Sequence, residues 1–265
     1  MKRVLIVYFL SILCATGSAR AVSEMNTAAL RLPLGFRIEV LVTDLPDARS
    51  MSLGEQGTLF VGTRRKGNVY AIRNVFGDRP EVLTIATGRQ TPNGIAFHDG
   101  DLYLAEVGSI SRFSDIEMRL PYPGDPEIVV DDLPPAKLHS SRYIGFGPDD
   151  RLYVAIGAPC NVCDRREEPR YASITRMNSD GTDQEVFARG IRNSVGFDWH
   201  PETNELWFTS NGRDGWGDDR PPDTLNHAPQ EGLHFGFPYC DAGELSDPDF
   251  GQIRPCGECT APALN

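Results

Sequence analysis

Two short segments carry side chains suited to proton transfer and anion binding. His139 lies shortly before the apolar stretch at Ile144, and a neutral imidazole accepts protons near physiological pH. Arg192 offers a planar guanidinium that suits carboxylates, and Asn193 beside it can both donate and accept hydrogen bonds. On position alone, a surface-loop histidine and a turn-stabilising Arg-Asn pair are the alternatives.

A third segment suits a metal ion. Residues 211–219 read NGRDGWGDD, an acidic and glycine-rich loop. Hard cations such as Ca²⁺ prefer carboxylate and backbone carbonyl oxygens, and such a loop supplies both. The spacing of an EF-hand is missing, so a solvated acidic turn is the alternative interpretation.

The first residues resemble a cleavable targeting segment. Lys2 and Arg3 precede an apolar run at residues 4–15 and small residues near position 21. This pattern is typical of a secretory signal peptide, and the run is too short to span a bilayer. We predict a signal peptide at 1–21, a mature domain at 22–265, and a periplasmic or secreted protein without membrane insertion after cleavage.

Five cysteines follow the predicted cleavage site, at positions 160, 163, 240, 256 and 259. The two CxxC pairs have the spacing of a four-thiolate zinc site. In an exported chain disulfides are favoured instead. We therefore predict a Cys160–Cys163 disulfide and a second one between Cys240 and either Cys256 or Cys259, with one thiol unpaired.

Charge and composition exclude several classes of protein. The chain has 37 acidic against 26 basic side chains and a formal net charge of −11. Such a surface repels phosphate backbones, so nucleic acid is excluded as the main partner. The 26 glycines and 20 prolines among 265 residues leave little room for long helices and favour a turn-rich β protein.

The elements that must position these side chains recur along the chain. A turn followed by an alternating apolar strand occurs at residues 57–62, 100–105, 150–155 and 204–209, and the shared leucines lie 43 to 54 residues apart. Further strands are predicted after the first three copies, at 68–72, 109–113 and 173–177, and before later ones, at 94–97, 144–147 and 195–198. This spacing is typical of propeller blades, whereas a β-sandwich, the alternative, does not repeat one phrase at that interval.

Four units are visible, and the stretch from Gly232 resembles the start of a fifth. A propeller closes into a ring to protect its terminal edges. We therefore expect this chain to be a shortened version of a longer protein.

Several motifs together resemble the glucose/sorbosone dehydrogenase family, most closely its sorbosone dehydrogenase-like branch. They are LHSSR before GPD, GIRN, NGR followed by two aspartates, and GLHFGFP, at residues 138–149, 190–193, 211–219 and 232–238. The resemblance spans about residues 32–264. It implies an all-β, six-bladed propeller of which four to five blades are present here, with pyrroloquinoline quinone (PQQ) and calcium as cofactors.

The resemblance also implies roles for individual residues. His139 matches the general base that takes a proton from a sugar hydroxyl. Arg192 and Asn193 match the pair that contacts PQQ, and Gln90 is the nearest candidate for a glutamine of the pocket. Leu138 replaces the acidic residue that often precedes the histidine, so nothing adjacent in sequence orients the imidazole.

For the metal, the resemblance implies that the backbone carbonyls of Gly212 and Arg213 bind calcium. Asp218 and Asp219 fall near the adjacent acidic residues of the family. The predicted function is a PQQ-dependent dehydrogenase that oxidises an aldose or sugar aldehyde and passes electrons to an external acceptor. A calcium-dependent propeller lactonase and a non-catalytic binding propeller are the alternatives.

Overall fold

The computed structural model describes residues 29–135 and 137–265, so the predicted signal peptide lies outside the described residues. The chain divides into two compact units between Thr43 and Asp44. Every strand of the described residues belongs to the second unit, which carries all the candidate site residues. Among the described residues, no helix is long and apolar enough to cross a membrane.

Three four-stranded antiparallel sheets follow one another along the chain. The first contains β1 (Ala48–Leu53), β2 (Leu59–Thr63), β3 (Val69–Arg73) and β4 (Glu81–Ala86). The second contains β5 (Gly94–His98), β6 (Asp101–Ala105), β7 (Ile110–Phe113) and β8 (Glu127–Val130), with a helical turn α1 (Ile116–Arg119). The third contains β9 (Tyr143–Phe146), β10 (Leu152–Ile156), β11 (Ser173–Met177) and β12 (Glu185–Arg189).

The remaining strands form smaller sheets. Three of them pair as β13 (Phe197–Trp199), β14 (Leu206–Ser210) and β15 (Thr224–Ala228). A two-stranded hairpin follows, with β16 (Cys240–Asp241) and β17 (Leu245–Ser246). After Gly232 the described chain forms a short hairpin, in the stretch where we expected the start of a fifth unit.

The core lies in layers between successive sheets. Phe60 of the first sheet packs in one buried cluster with Leu102 and Leu104 of the second. Equivalent clusters join the second sheet to the third and the third to the fourth. Because both faces of a middle strand are covered by a neighbouring sheet, β10 is buried at all five positions.

The first strands of the four large sheets lie side by side. β5 packs against both β1 and β9, and β9 also contacts β13. Sheets that share an inner edge and bury their faces against each other are arranged radially, as in a propeller. The structure thus confirms the predicted all-β propeller class, with four blades and a small hairpin in the described chain.

Two disulfides close loops, one in the third blade and one in the region beyond the fourth blade. They join Cys160 to Cys163 and Cys240 to Cys256, and Cys259 is free. Both bonds are among those predicted from the sequence. Since Cys256 pairs with Cys240 instead of its CxxC neighbour, the four-thiolate zinc alternative is not supported.

Candidate active site at one end of the blades

Four loops meet at the same end of the third and fourth blades. In an antiparallel meander, the start of the first strand, the end of the second and the start of the third lie at one edge. Register confirms this, since Tyr143 at the start of β9 pairs with Ala155 near the end of β10. The loops 131–142, 157–172, 190–196 and 211–223 therefore converge, and they carry most of the predicted site residues.

The imidazole of His139 is oriented by a backbone carbonyl. Its Nδ1 lies 2.8 Å from the carbonyl oxygen of Ala158. A carbonyl only accepts hydrogen bonds, so this contact requires the proton on Nδ1 and leaves the lone pair of Nε2 available. Burial lowers the pKa of His139, and the nearby charge of Arg192 lowers it further, so the ring is neutral at physiological pH.

The backbone carbonyl of Ala158 therefore orients the imidazole of His139, which the sequence did not reveal. Leu138, which stands where an acid often precedes the histidine, is exposed and does not supply it. A carbonyl that comes 19 residues after the histidine performs this role instead.

Gly157 allows His139 and Asn193 to approach each other. A methyl group added to Gly157 would lie 2.4 Å from the Cβ of His139 and 3.0 Å from Oδ1 of Asn193. His139 and Asn193 therefore both lie directly beside Gly157. Only glycine leaves enough space for this arrangement.

Arg192 is almost fully buried, with 4% of its surface exposed, and it bonds to two loops. Its Nε donates to the carbonyl oxygen of Asn161 at 2.9 Å, and its Nη2 donates to Oδ1 of Asn161 and to Oδ2 of Asp214, both at 2.8 Å. Burial lowers the pKa of Arg192, while the carboxylate of Asp214 opposes that shift. Nη1 has only a 3.5 Å contact, to the carbonyl of Asn211, so it has donor capacity for a further acceptor.

Asn193 connects this cluster to the proposed metal loop. Its Nδ2 donates to Oδ1 of Asn211 at 3.1 Å, and its carbonyl accepts from the backbone N–H of Asn211 at 3.0 Å. Asp223 accepts from Nδ2 of Asn211 at 3.0 Å and from the backbone N–H of Gly212 at 2.9 Å. His139, Arg192, Asn193 and Gly212 thus belong to one continuous network.

The side chain of Arg213 turns away from this network. It forms an ion pair with buried Asp247 and lies over the ring of Trp216, 4.7 Å from its centroid. Asp241 lies close to that pair, and burial together with the charge of Asp247 raises its pKa to about 6. Only the backbone carbonyl of Arg213 is therefore available for calcium binding, the role predicted for it.

Within the described residues, the other predicted residues form no hydrogen bond or ion pair with the network. Asp218 and Asp219 are exposed, and neither has a hydrogen bond or ion pair within the described part of the chain. Gln90 lies at the same end of the blades, in the loop before β5; its backbone N–H donates to Glu106 at 2.5 Å, and its side chain is exposed. Within residues 29–135 and 137–265, no group of three metal-ligating His, Cys, Asp or Glu side chains occurs.

Fold and loop cluster together define a β-propeller protein with a polar site where the blades end. The chain belongs to the TrAA12-like family, whose model matches residues 30–245.

A relative from Borreliella burgdorferi, described as an uncharacterized protein, is 32% identical over 229 residues. The match covers 82% of this chain and 58% of the relative, so the chain spans less than two thirds of that relative's length.

Two solved structures share the fold. The holo form of the pyranose dehydrogenase PQQ domain from Coprinopsis cinerea has a TM-score of 0.74 at 15% identity, over 88% of this chain and 68% of that one. The calcium structure of the Trichoderma reesei carbohydrate-active enzyme of family AA12 has a TM-score of 0.69 at 18% identity, over 84% and 68%. At these identities the likeness establishes the propeller fold alone.

Proposed function

We propose that this protein is a PQQ-dependent dehydrogenase that oxidises an aldose or a related sugar aldehyde and passes the electrons to an external acceptor. The observation that carries the proposal is the 2.8 Å contact between His139 and Ala158, which leaves Nε2 of a neutral imidazole free near Arg192. Family membership and the names of the PQQ-containing structural neighbour and the AA12 enzyme support it.

The residues present fit a polyanionic quinone. PQQ carries three carboxylates, and guanidinium groups bind carboxylates through paired N–H donors. Arg192 is buried, already bonds one carboxylate and has spare donor capacity on Nη1, while Asn193 adds amide groups beside it. Arg192 and Asn193 would bind the cofactor, with Gln90 a further candidate at the same end of the blades. When bound, the quinone supplies the acceptor for a hydride.

His139 provides the proton transfer that such an oxidation needs. Its Nε2 takes the proton from the hydroxyl group of the sugar as the carbon is oxidised. The carbonyl of Ala158 stays bonded to Nδ1–H and so fixes the ring and stabilises the imidazolium that forms.

The acidic, glycine-rich composition of the loop at residues 211–219 supports a site for a hard cation that takes carbonyl oxygens. A methyl group added to Gly212 would lie 2.8 Å from Cγ and 2.9 Å from the carbonyl oxygen of Pro221, so the loop is tightly closed at this residue. We propose Gly212 and Arg213 as backbone ligands of calcium and Asp218 and Asp219 as outer acidic groups. Calcium bound there would supply the positive charge that polarises the quinone.

Export from the cytoplasm is part of the same proposal. Two disulfides suit an oxidising compartment, and we infer a periplasmic or secreted protein. A sugar and a separate electron acceptor are then the partners at the site.

Reconstitution tests the proposal. The mature protein is incubated with calcium and PQQ, and reduction of a redox dye is followed with a panel of aldoses. We expect reduction that requires PQQ. Dye reduction without PQQ would contradict the proposed cofactor. Dye reduction that persists in His139→Asn would contradict the role of His139 as the general base. A parallel assay of lactone hydrolysis tests the hydrolase alternative, because a free Nε2 also suits activation of water.

A further inference from the structure

Asn161 lies inside the small ring that the Cys160–Cys163 disulfide closes, and it contacts Arg192 twice. Its carbonyl oxygen accepts from Nε at 2.9 Å, and its side-chain Oδ1 accepts from Nη2 at 2.8 Å. One residue thus binds two neighbouring nitrogens along one edge of the guanidinium. Two such bonds oppose rotation of the group about its Cδ–Nε bond.

The same side chain also fixes the neighbouring loop. Oδ1 of Asn161 accepts from the backbone N–H of Asp214 at 2.9 Å, and Nδ2 donates to the carbonyl of Asp214 at 3.0 Å. Both lone pairs of Oδ1 are therefore used. The loop after β10 is connected through Asn161 to the loop after β14, with Arg192 between them.

The other two partners of the guanidinium hold it less firmly; one is the carbonyl of Asn211, 3.5 Å from Nη1, and the other is Asp214. Asp214 is 83% exposed, and exposed ion pairs contribute little because water screens them and their side chains lose entropy. Burial also disfavours the charged form of Arg192, so its position depends on neutral acceptors as well. Asn161 supplies two of them.

The disulfide restricts the residue that supplies these acceptors. Asn161 belongs to a loop of 16 residues, 157–172, without strand or helix. Loops of this length carry considerable conformational entropy, and a ring that encloses only two residues limits the backbone of both. The bond therefore limits the motion of the Asn161 amide and carbonyl.

We propose that the disulfide-closed loop Cys160–Cys163 positions Arg192 for an anionic ligand, with Asn161 as the positioning residue. Two-electron reduction by a dithiol breaks the S–S bond and yields two cysteine thiols, while the dithiol becomes a disulfide. The guanidinium then loses its fixed orientation. The identification of the anionic ligand as PQQ rests on the proposed function.

The first measurement needs no cofactor. Exchange of the Nε and Nη protons of Arg192 is followed by NMR in the wild type, in Asn161→Ala and in Cys160→Ser/Cys163→Ser. We expect the Nη protons to exchange at least tenfold faster in Asn161→Ala, which removes the acceptor Oδ1, and the Nε proton to do so in the cysteine variant, which frees the backbone carbonyl to move. The control is Asn178→Ala, which removes a similar turn contact, to Thr182, in the hairpin between β11 and β12. Unchanged exchange in both test variants would overturn the inference whether or not PQQ binds.

The second measurement is the dissociation constant of PQQ, obtained by spectroscopic titration in the presence of calcium and without substrate. We expect it to rise at least tenfold in both test variants and to stay unchanged in Asn178→Ala. An unchanged dissociation constant in a variant whose guanidinium protons exchange faster would overturn the link between the position of Arg192 and ligand binding. If the cysteine variant does not fold, an unchanged constant and unchanged proton exchange in Asn161→Ala still overturn the positioning role of Asn161, because this variant keeps the disulfide. If the wild type does not bind PQQ, the proposed function fails, while exchange of the guanidinium protons still tests the positioning role.

Discussion

His139 has a left-handed backbone conformation, with φ at +50°. Residues other than glycine adopt this conformation at a cost in free energy. The surrounding contacts fix it there, since Gly157 makes room for its Cβ and Ala158 accepts from its ring. The imidazole is thus placed before any ligand arrives. Preorganisation of this kind is what a general base requires.

Replacing His139 tests the base directly. In His139→Asn we expect kcat/KM for aldose oxidation to fall 10²- to 10⁴-fold, the usual contribution of a general base. Steady-state dye reduction measures this. The matched control is His200→Asn in the exposed turn before β14, where an asparagine can still accept the backbone N–H bonds that His200 accepts.

The wild type should also show a characteristic pH profile. Because burial lowers the pKa of His139 from its ordinary value of 6.5, kcat/KM should rise with pH only well below neutrality and stay level above it. An inflection above pH 7 would contradict the assignment.

The space at Gly157 leads to a second prediction. In Gly157→Ala the new methyl would lie 2.4 Å from Cβ of His139, so the imidazole must move. We expect a loss of about 1–3 kcal/mol in the free energy of unfolding, typical of overpacking, and a drop in kcat/KM. Denaturant unfolding and dye reduction measure the two effects. Gly196→Ala is the control, because the same methyl there has no neighbour within 4 Å; equal losses in both variants would refute the close approach.

At the scale of elements, the site is assembled from loops while the strands supply a scaffold. The loops are connected by backbone bonds, such as the N–H of Ala158 to the carbonyl of Arg192 at 2.8 Å. Strand register determines where each loop begins, and the backbone hydrogen bonds between loops determine how the remainder of each loop is placed. Such loops carry function because rigid strands hold their ends.

The second disulfide stabilises the region beyond the fourth blade. Cys240 and Cys256 are 16 residues apart, and a closed loop of that size contributes about 3 kcal/mol by restricting the unfolded chain. We expect Cys240→Ala/Cys256→Ala to lower the free energy of unfolding by about that amount in chemical denaturation. Cys259→Ser should leave it unchanged, since that thiol is free. A change below about 0.5 kcal/mol in the double variant would contradict this role.

At the scale of the whole molecule, stability is linked to pH through a half-buried histidine. His234 stacks on Tyr239, and its Nδ1 accepts from the backbone N–H of Gly236 at 3.2 Å. It borders a cleft of about 230 Å³ that Arg189 also lines. Burial, followed by the charges of Arg254 and Arg189, lowers the pKa of His234 to about 4.

The sign of the effect follows from the lowered pKa. The unfolded chain binds a proton near pH 6.5 and the folded protein only near pH 4, so this contribution to stability is complete above pH 6.5 and is lost as the pH falls toward 4. Between pH 8 and pH 5 we expect the histidine to account for a loss of about 1–2 kcal/mol. His234→Asn keeps the acceptor for Gly236 and removes the titration. Denaturant unfolding at both pH values checks this, and an identical pH dependence in the variant would contradict it.

The sequence by itself determined the class of the fold, and it also predicted the candidate site residues. Apolar alternation at blade spacing predicted the second strand of every blade, because a strand buried between two sheets needs an apolar run there. The polar strand β15 was not predicted, because it lacks that apolar pattern. The stretch after Gly232 was predicted only as the start of a fifth unit, without the bounds of its hairpin. His139, Arg192 and Asn193 were identified by residue type and motif.

Only the tertiary structure decided what surrounds these residues. The carbonyl of Ala158, the amide of Asn161 and the space at Gly157 carry no signature in the sequence, because a backbone carbonyl or a missing side chain becomes specific only where another loop approaches it. Asn161 within the CxxC and Asp214 after NGR were the nearest signals. Contacts across 19 to 53 residues depend on how the blades place their loops together, which no local pattern encodes.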